Sequence, residues 1–199
     1  MKVAIILKSP CFDTAVKEQY VIYCDGAYKH KDKVGEKQIL AVVGDFDSLG
    51  APPLDQTVFT LNPEKNFTDG EYALTVAKQK GATEVVIYGA FGGKIEHILG
   101  NIALLKIAKN LGFTASIRDK NTITKLIDGK VDLAVKENTA LSLIPYGECC
   151  SFVKSNGLYY PLDNLTLTNA DTRGISNLTK SCLVQIEFSK GSALVVYDE

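Results

Sequence analysis

Ile39-Leu40-Ala41-Val42-Val43-Gly44-Asp45-Phe46-Asp47-Ser48 passes from five apolar residues into a glycine and two carboxylates set two positions apart. The apolar run reads as a strand, and the strand opens at Gly44 into a loop. Two carboxylates at such an opening can hold a divalent cation. Hard cations such as Mg²⁺ take oxygen ligands, commonly one or two carboxylates with waters and substrate phosphates, which points toward phosphate chemistry. The plainer alternative is a Gly/Asp/Ser turn whose Asp side chains cap backbone N–H groups. Position favours the metal, because ligands of open α/β sheets gather beyond the carboxyl ends of strands and Val43 is such an end. The stretch alone leaves the substrate open.

Working outward, short apolar or β-branched runs at Val3–Leu7, Val21–Cys24, Val58–Leu61 and Val85–Tyr88 also read as strands. Two helices interleave with them. Thr68-Asp69-Gly70-Glu71 is a capping-box pattern, with Ala73, Leu74, Val76 and Ala77 as the inner face and Gly81 as the stop. Ile95, Ile98, Leu99, Ile102, Leu105 and Ala108 recur at helical spacing up to about Asn110, and Gly112 follows. Strands alternating with helices imply an α/β domain with a mostly parallel sheet. After Phe113–Arg118 the helical signal stops. Strand candidates then follow one another at Ile123–Ile127, Val131–Val135, Ala140–Ile144, Ser151–Val153, Leu165–Thr168, Leu183–Phe188 and Ala193–Tyr197, which predicts an all-β sandwich. The join falls near Asp119-Lys120-Asn121, giving domains 1–120 and 121–199.

The totals exclude several classes. A net charge of −1 over 199 residues offers no general nucleic-acid or membrane surface, so any basic site is local. No run approaches the ~18 apolar residues of a membrane span, and Met1–Leu7 reads as a first strand rather than a secretory segment. Five cysteines (Cys11, Cys24, Cys149, Cys150 and Cys182) without C-x-x-C spacing argue against a disulfide framework or a zinc site. The expected location is cytoplasmic. His30 and His97 are the two imidazoles, too few for a His-rich metal centre.

Acidic residues recur at comparable places: Asp25 after the second strand, Asp45 and Asp47 after the third, and Asp69 at a helix start. Parallel strands bring their carboxyl ends to one edge, where Asp25 and the Asp45/Asp47 pair can converge. Asp69 also has a purely local explanation, since the helix macrodipole stabilises an acid in the first turn. Gly89-Ala90-Phe91-Gly92-Gly93-Lys94 links a strand to a helix, the setting in which backbone amides face a phosphate. It matches neither G-x-G-x-x-G nor a Walker A pattern. His97 and Asn101, four apart, fall on the less apolar side of that helix, opposite Ile98, Ile102 and Leu105. In the β half, Thr172-Arg173-Gly174-Ile175-Ser176-Asn177 gathers a cation and hydrogen-bonding groups in what is otherwise a turn.

In order along nearly the whole chain, these segments resemble the thiamine pyrophosphokinase family. The family's Asp-Gly appears as Asp25-Gly26, its Gly-Asp-Phe-Asp-Ser in full at Gly44–Ser48, and its Lys-Asp-x-Thr-Asp-x-Glu as Lys65-Asn66-Phe67-Thr68-Asp69-Gly70-Glu71. Its Gly-Gly-Arg-x-Asp-His with a following Asn appears as Gly92-Gly93-Lys94-Ile95-Glu96-His97 with Asn101. Gly157-Leu158-Tyr159-Tyr160-Pro161-Leu162 and Arg173-Gly174-Ile175-Ser176-Asn177 complete the set.

The resemblance implies transfer of the β,γ-pyrophosphoryl group of ATP to the hydroxyl of thiamine, giving thiamine diphosphate and AMP with Mg²⁺ as cofactor. It implies a Rossmann-like catalytic, ATP- and metal-binding domain over 1–120, and a β-sandwich over 121–199 for thiamine binding and dimerisation. The active unit would be a homodimer with thiamine held between the α/β domain of one subunit and the β domain of the other. By the match, Asp45, Asp47 and Asp69 are the catalytic, Mg²⁺-holding residues. Asp25, Gly92, Gly93, Lys94, His97 and Asn101 face ATP, and Arg173, Ser176 and Asn177 face thiamine. Asp47 is a candidate general base.

The chain departs from the pattern at Asn66 for Asp, Lys94 for Arg, Glu96 for Asp, and Leu178 where Glu commonly follows. Asn keeps an oxygen ligand without charge, and Lys gives up bidentate phosphate geometry. Three alternatives remain open at this point: a pyrophosphokinase for another hydroxymethyl heterocycle such as a pterin, a D-x-D nucleotide-sugar glycosyltransferase, and a thiamine- or nucleotide-binding protein that has lost catalysis.

Overall fold

Ala41, Val42 and Val43, the second half of the opening apolar run, are fully buried in a strand flanked on both sides by others. The computed structural model describes residues 1–10 and 12–199; Cys11 lies outside the described residues. The described chain forms two compact units, Met1–Lys120 and Asn121–Glu199.

The first unit runs β1 (Lys2–Ile6), β2 (Tyr20–Cys24), a 3₁₀ turn (Asp25–His30), α1 (Lys31–Val34), β3 (Gln38–Gly44), β4 (Val58–Thr60), α2 (Asp69–Gln79), β5 (Glu84–Tyr88), α3 (Ile95–Asn110) and β6 (Thr114–Asp119). Its strands are ordered β6-β5-β1-β2-β3-β4, and each neighbouring pair is parallel. Chain direction through the sheet reverses between β1 and β5. Loops at such a reversal splay apart and leave a crevice beyond the carboxyl ends of the strands.

Both faces of this sheet are covered, which is why its strands are apolar at successive positions rather than alternate ones. Ala4, Ile6, Val21, Tyr23, Val42, Val86 and Tyr88 pack with Phe12, Val16, Ala27, Val34 and Phe46 on one face. By alternation, Val3, Ile5, Ile22, Ala41, Val43, Val85 and Ile87 point to the other, where α2 and α3 lie. The capping box behaves as its sequence predicts: Thr68 Oγ1 accepts the Glu71 N–H at 3.2 Å. Gly81, at φ +80°, follows the end of α2.

Inside this core the Tyr88 hydroxyl donates to Glu18 Oε2 at 2.7 Å. Burial and that hydrogen bond hold the Tyr88 hydroxyl above its usual range. The neutral phenol therefore contributes stability that is complete below pH 10 and is lost as pH rises through the folded-state value. Tyr88→Phe should cost about 1–2 kcal/mol in urea unfolding at pH 7 and flatten the alkaline fall in stability. Equal stabilities of the two proteins at neutral pH would remove this bond from the account.

The inner face expected for α3 is only partly the buried one. Leu104, Leu105 and Ala108 are buried, while Ile95 and Leu99 are 74% and 65% exposed. Apolar residues lie on more than one side of this helix, so spacing alone did not select the face that meets β6 and α2. Neighbours decide it.

The second unit contains β7 (Thr122–Ala134), β8 (Ala140–Pro145), β9 (Cys149–Asn156), β10 (Thr166–Thr168), β11 (Asn177–Leu178) and β12 (Leu183–Asp198). Two pairs of expected short strands are in fact two long ones, β7 and β12. They pair antiparallel along their lengths with a register shift between Glu187 and Ser192. An irregularity of that kind bends a strand without ending it, so Ser189-Lys190-Gly191-Ser192, which separates the two expected strands, is accommodated inside it. On its other edge β12 pairs with β9 in its first half and β8 in its second. β9 carries β10, and β8 carries β11. The two branches enclose a core that includes Leu141, Leu143, Phe152, Leu167, Val184, Ile186 and Val195. Among the described residues no helix is long and apolar enough to cross a membrane.

Candidate active site

Asp25 begins the turn after β2, and Asp45 and Asp47 lie in the loop after β3. One carboxylate oxygen from each of the three falls within 4.8 Å of the others. Two features of the chain make this approach possible. A Cβ at Gly44 would lie 2.8 Å from Asp25 Cβ, so a side chain there would push the two strand ends apart. Phe46, between the two aspartates, is buried in the sheet core at φ +62°. Anchoring that ring turns the loop so that Asp45 is only partly buried and Asp47 is exposed. Asp25 itself has φ +43°, a conformation unusual outside glycine and enriched at functional sites.

The hydrogen bonds of the turn reading are present. Asp45 Oδ1 accepts the Asp47 N–H at 3.3 Å, and Asp47 Oδ1 accepts the Ser48 hydroxyl at 2.9 Å. Those bonds use one oxygen of each carboxylate. Asp25 is 6% exposed, and its Oδ1 is buried with no hydrogen-bond partner. A buried, unpartnered carboxylate oxygen is costly, and a cation beside it removes the cost. An all-carboxylate donor set suits a hard ion such as Mg²⁺. The neighbouring Cys24 thiol is pushed well up by burial and then by Asp69 and Asp25, which keeps it protonated.

Asp69, at the start of α2, stands outside the three-carboxylate group and is joined to it through Lys65. The Lys65 ammonium lies 2.9 Å from Asp69 Oδ1, one helical turn away in sequence, and 3.9 Å from Asp45 Oδ2. Burial raises the Asp69 pKa, Lys65 opposes the rise, and Asp45 and Asp25 add to it. The sequence quotes Lys65 within a motif but gives no sign of this bridging place. Two further cations meet the loop at Ser48: Lys8, from beyond β1, donates to the Ser48 hydroxyl, and Lys29 donates to its carbonyl at 2.6 Å. Sequence reasoning missed both. Their position just past strands β1 and β2 was the available signal.

Across the β1/β5 reversal lies the loop at 89–94. Ser9 Oγ donates to Phe91 O at 3.1 Å and Asn101 Nδ2 donates to Ala90 O at 2.9 Å, so one residue from each flank braces it. Asn101 is thus engaged with the loop backbone. Gly92 (φ +86°), Gly93, Lys94 and His97 are exposed at the loop and the start of α3.

In the second unit, Arg173 is drawn to Asp171, at 3.1 Å from both Nε and Nη2, and remains largely exposed. Ser176 sits at φ +57° with its N–H on Ser142 Oγ at 2.9 Å and its side chain exposed. Asn177 is buried, and its amide is spent on Tyr160: Oδ1 accepts the Tyr160 N–H at 3.1 Å while Nδ2 donates to Tyr160 O at 2.8 Å. The exposed rings of Tyr159 and Tyr160 are held there, 4.9 Å apart.

Residues 13–115 match the family model described as thiamin pyrophosphokinase, catalytic domain, and residues 128–193 match that described as thiamin pyrophosphokinase, vitamin B1 binding domain. The thiamine pyrophosphokinase of Bacillus subtilis (strain 168) is 32% identical over 165 residues, covering 77% of this chain and 75% of that protein. The chain belongs to the thiamine pyrophosphokinase family. Its fold agrees with the family's. The crystal structure of thiamine pyrophosphokinase from Bacillus subtilis superposes with a TM-score of 0.85 at 24% identity, covering 100% of this chain and 99% of that one. That of the yeast enzyme gives 0.78 at 12% identity, with 100% and 86% covered. As a thiamine pyrophosphokinase, the chain is an ATP-dependent transferase. The pterin and non-catalytic alternatives are not favoured.

Proposed function

We propose that this thiamine pyrophosphokinase works through the carboxylate group at the ends of β2 and β3, with Mg²⁺ held by Asp25, Asp45 and Asp47 and with Asp69 at its border. The observation that carries this is the convergence of those three carboxylates around a buried Asp25 oxygen that has no protein partner. The reaction joins the thiamine hydroxyl oxygen to the β-phosphorus of ATP and breaks the bond from that phosphorus to the α,β-bridging oxygen. AMP leaves with that oxygen, and the hydroxyl proton is lost. Bound Mg²⁺ supplies neutralisation of charge on the phosphoryl oxygens. The chain's own part is placement. The loop braced by Ser9 and Asn101 offers Gly92, Gly93 and Lys94 to the nucleotide phosphates, with His97 beside them. Lys65 keeps Asp45 and Asp69 at fixed separation.

Arg173, Ser176 and the tyrosine pair receive thiamine, a cationic aromatic ligand suited to exposed aromatic faces. Asn177 acts by fixing the Tyr160 backbone. In this reading residues 1–120 form a Rossmann-like catalytic domain and 121–199 a β-sandwich that binds thiamine and dimerises. The active unit is a homodimer whose site takes residues from both subunits. Ile95 and Leu99, exposed one turn apart on α3, support a second copy as their cover. A cytoplasmic location goes with ATP as co-substrate.

Incubation with ATP, thiamine and Mg²⁺ should give AMP and thiamine diphosphate in equal amounts, and EDTA should abolish both. Products that persist in EDTA would remove the metal from the reading. Thiamine binding without AMP would turn attention to Asn66, Lys94 and Glu96.

A further inference from the structure

Lys8 and Lys29 come from different loops and end on one residue. The Lys8 side chain crosses directly above Gly26, where an added Cβ would stand 3.1 Å from Lys8 Cδ and 3.1 Å from Ser48 Cβ. Gly26 therefore leaves the channel through which Lys8 reaches the Ser48 hydroxyl. Lys29, three residues on, reaches the Ser48 carbonyl. The two loops are pinned together: His30 Nε2 lies 3.0 Å from Ser9 O, and its ring stacks on Phe12 at 5.2 Å. Lys8 and Lys29 are both exposed residues.

Two like charges gathered on one serine repel each other, and an anion beside them relieves that repulsion. Charge balance indicates what anion. Four carboxylates (Asp25, Asp45, Asp47 and Asp69) against one divalent ion and the Lys65 ammonium leave these groups one charge negative, which would repel ATP. Lys8 and Lys29 turn them one charge positive. Lysine suits the task, because a compact charge on a mobile stem can follow a phosphoryl group without a fixed planar geometry.

We propose that Lys8 and Lys29 form a polyphosphate clamp seated on Ser48, which holds the β- and γ-phosphates of ATP beside the carboxylate group. The clamp rests on the reading of this site as the ATP site. It takes the part of ATP that AMP lacks, so it grips the substrate and releases the nucleotide product.

The test is equilibrium binding of ATP and of AMP by calorimetry, each in Mg²⁺ and in EDTA, to the unaltered chain and to Lys8→Met, Lys29→Met and the double variant. Each single change should weaken ATP about tenfold and the pair more than either alone, without simple additivity because the two lysines share Ser48 and the same phosphates, with AMP shifted less than about threefold. Lys8→Arg, which keeps the charge but not the compact head, should weaken ATP less than Lys8→Met does. ATP affinity unchanged in the double variant, while the unaltered chain binds ATP, would overturn the clamp alone. Equal weakening of ATP and AMP would also overturn it, by moving the contact to the nucleoside end or the α-phosphate. Failure of the unaltered chain to bind ATP would overturn the ATP site and the clamp together.

Discussion

Asp47→Asn should lower kcat by about 10³-fold and leave thermal unfolding within about 1 °C of the unaltered chain. The side chain is exposed, and among the described residues its one hydrogen bond is from the Ser48 hydroxyl, which an amide oxygen can still accept. Shape and turn are kept; the charge is lost. Removing it also relieves repulsion with Asp25 and Asp45, whose carboxylate oxygens lie within 4.8 Å, so the fold has no reason to weaken. Steady-state turnover at saturating ATP and thiamine, with Mn²⁺ binding followed by electron paramagnetic resonance, separates the two consequences. Weak Mn²⁺ binding with slow turnover is the expected pair of results. Near-normal turnover would take Asp47 out of the metal site.

Gly174→Ala should be the most disruptive small change in the second unit. A Cβ at that position would stand 2.0 Å from Leu143 O and 3.0 Å from Leu167 Cδ1. The approach cannot open easily, because the Leu143 N–H donates to Gly174 O at 2.8 Å, and Leu143 and Leu167 are both core residues. Either that bond breaks or the strand moves. A loss of about 3 kcal/mol and a fall in Tm of about 10 °C are expected. Thiamine affinity should drop with it, since Arg173 and Ser176, which we propose receive thiamine, share the segment and Ser176 N–H is tied to Ser142 on the strand that Gly174 abuts. Differential scanning calorimetry and thiamine titration check the two parts. A Tm within about 2 °C of the unaltered chain would mean that the segment yields without cost, and the link from backbone contact to ligand site would fail.

What the sequence determined by itself were the features written in neighbouring residues. The Thr68 cap, the apolar strand ending at Gly44, the carboxylates at Asp45 and Asp47, and the order of family motifs all depend on spacings of a few positions, which the chain's local geometry turns directly into structure. The family follows from that order.

Tertiary structure decided what depends on partners distant in sequence. Asn101 and Asn177 look alike as polar ligands-in-waiting, yet Ala90 O takes an amide proton of Asn101 and Tyr160 occupies both ends of the Asn177 amide. Asp69 reads as a helix-start acid or a metal ligand, and Lys65 stands between it and the other carboxylates. Leu105 and Leu99 carry the same apolar side chain on one helix, but only Leu105 is buried. Lys8 and Lys29 have no sequence motif at all; packing brings them to Ser48, Lys8 through a gap that exists because residue 26 has no side chain. Local spacing specifies which groups a segment offers. Which of those groups stay free for a ligand is settled only when distant segments fold against them, because a hydrogen-bonding or apolar side chain satisfied within the fold is no longer available at the site.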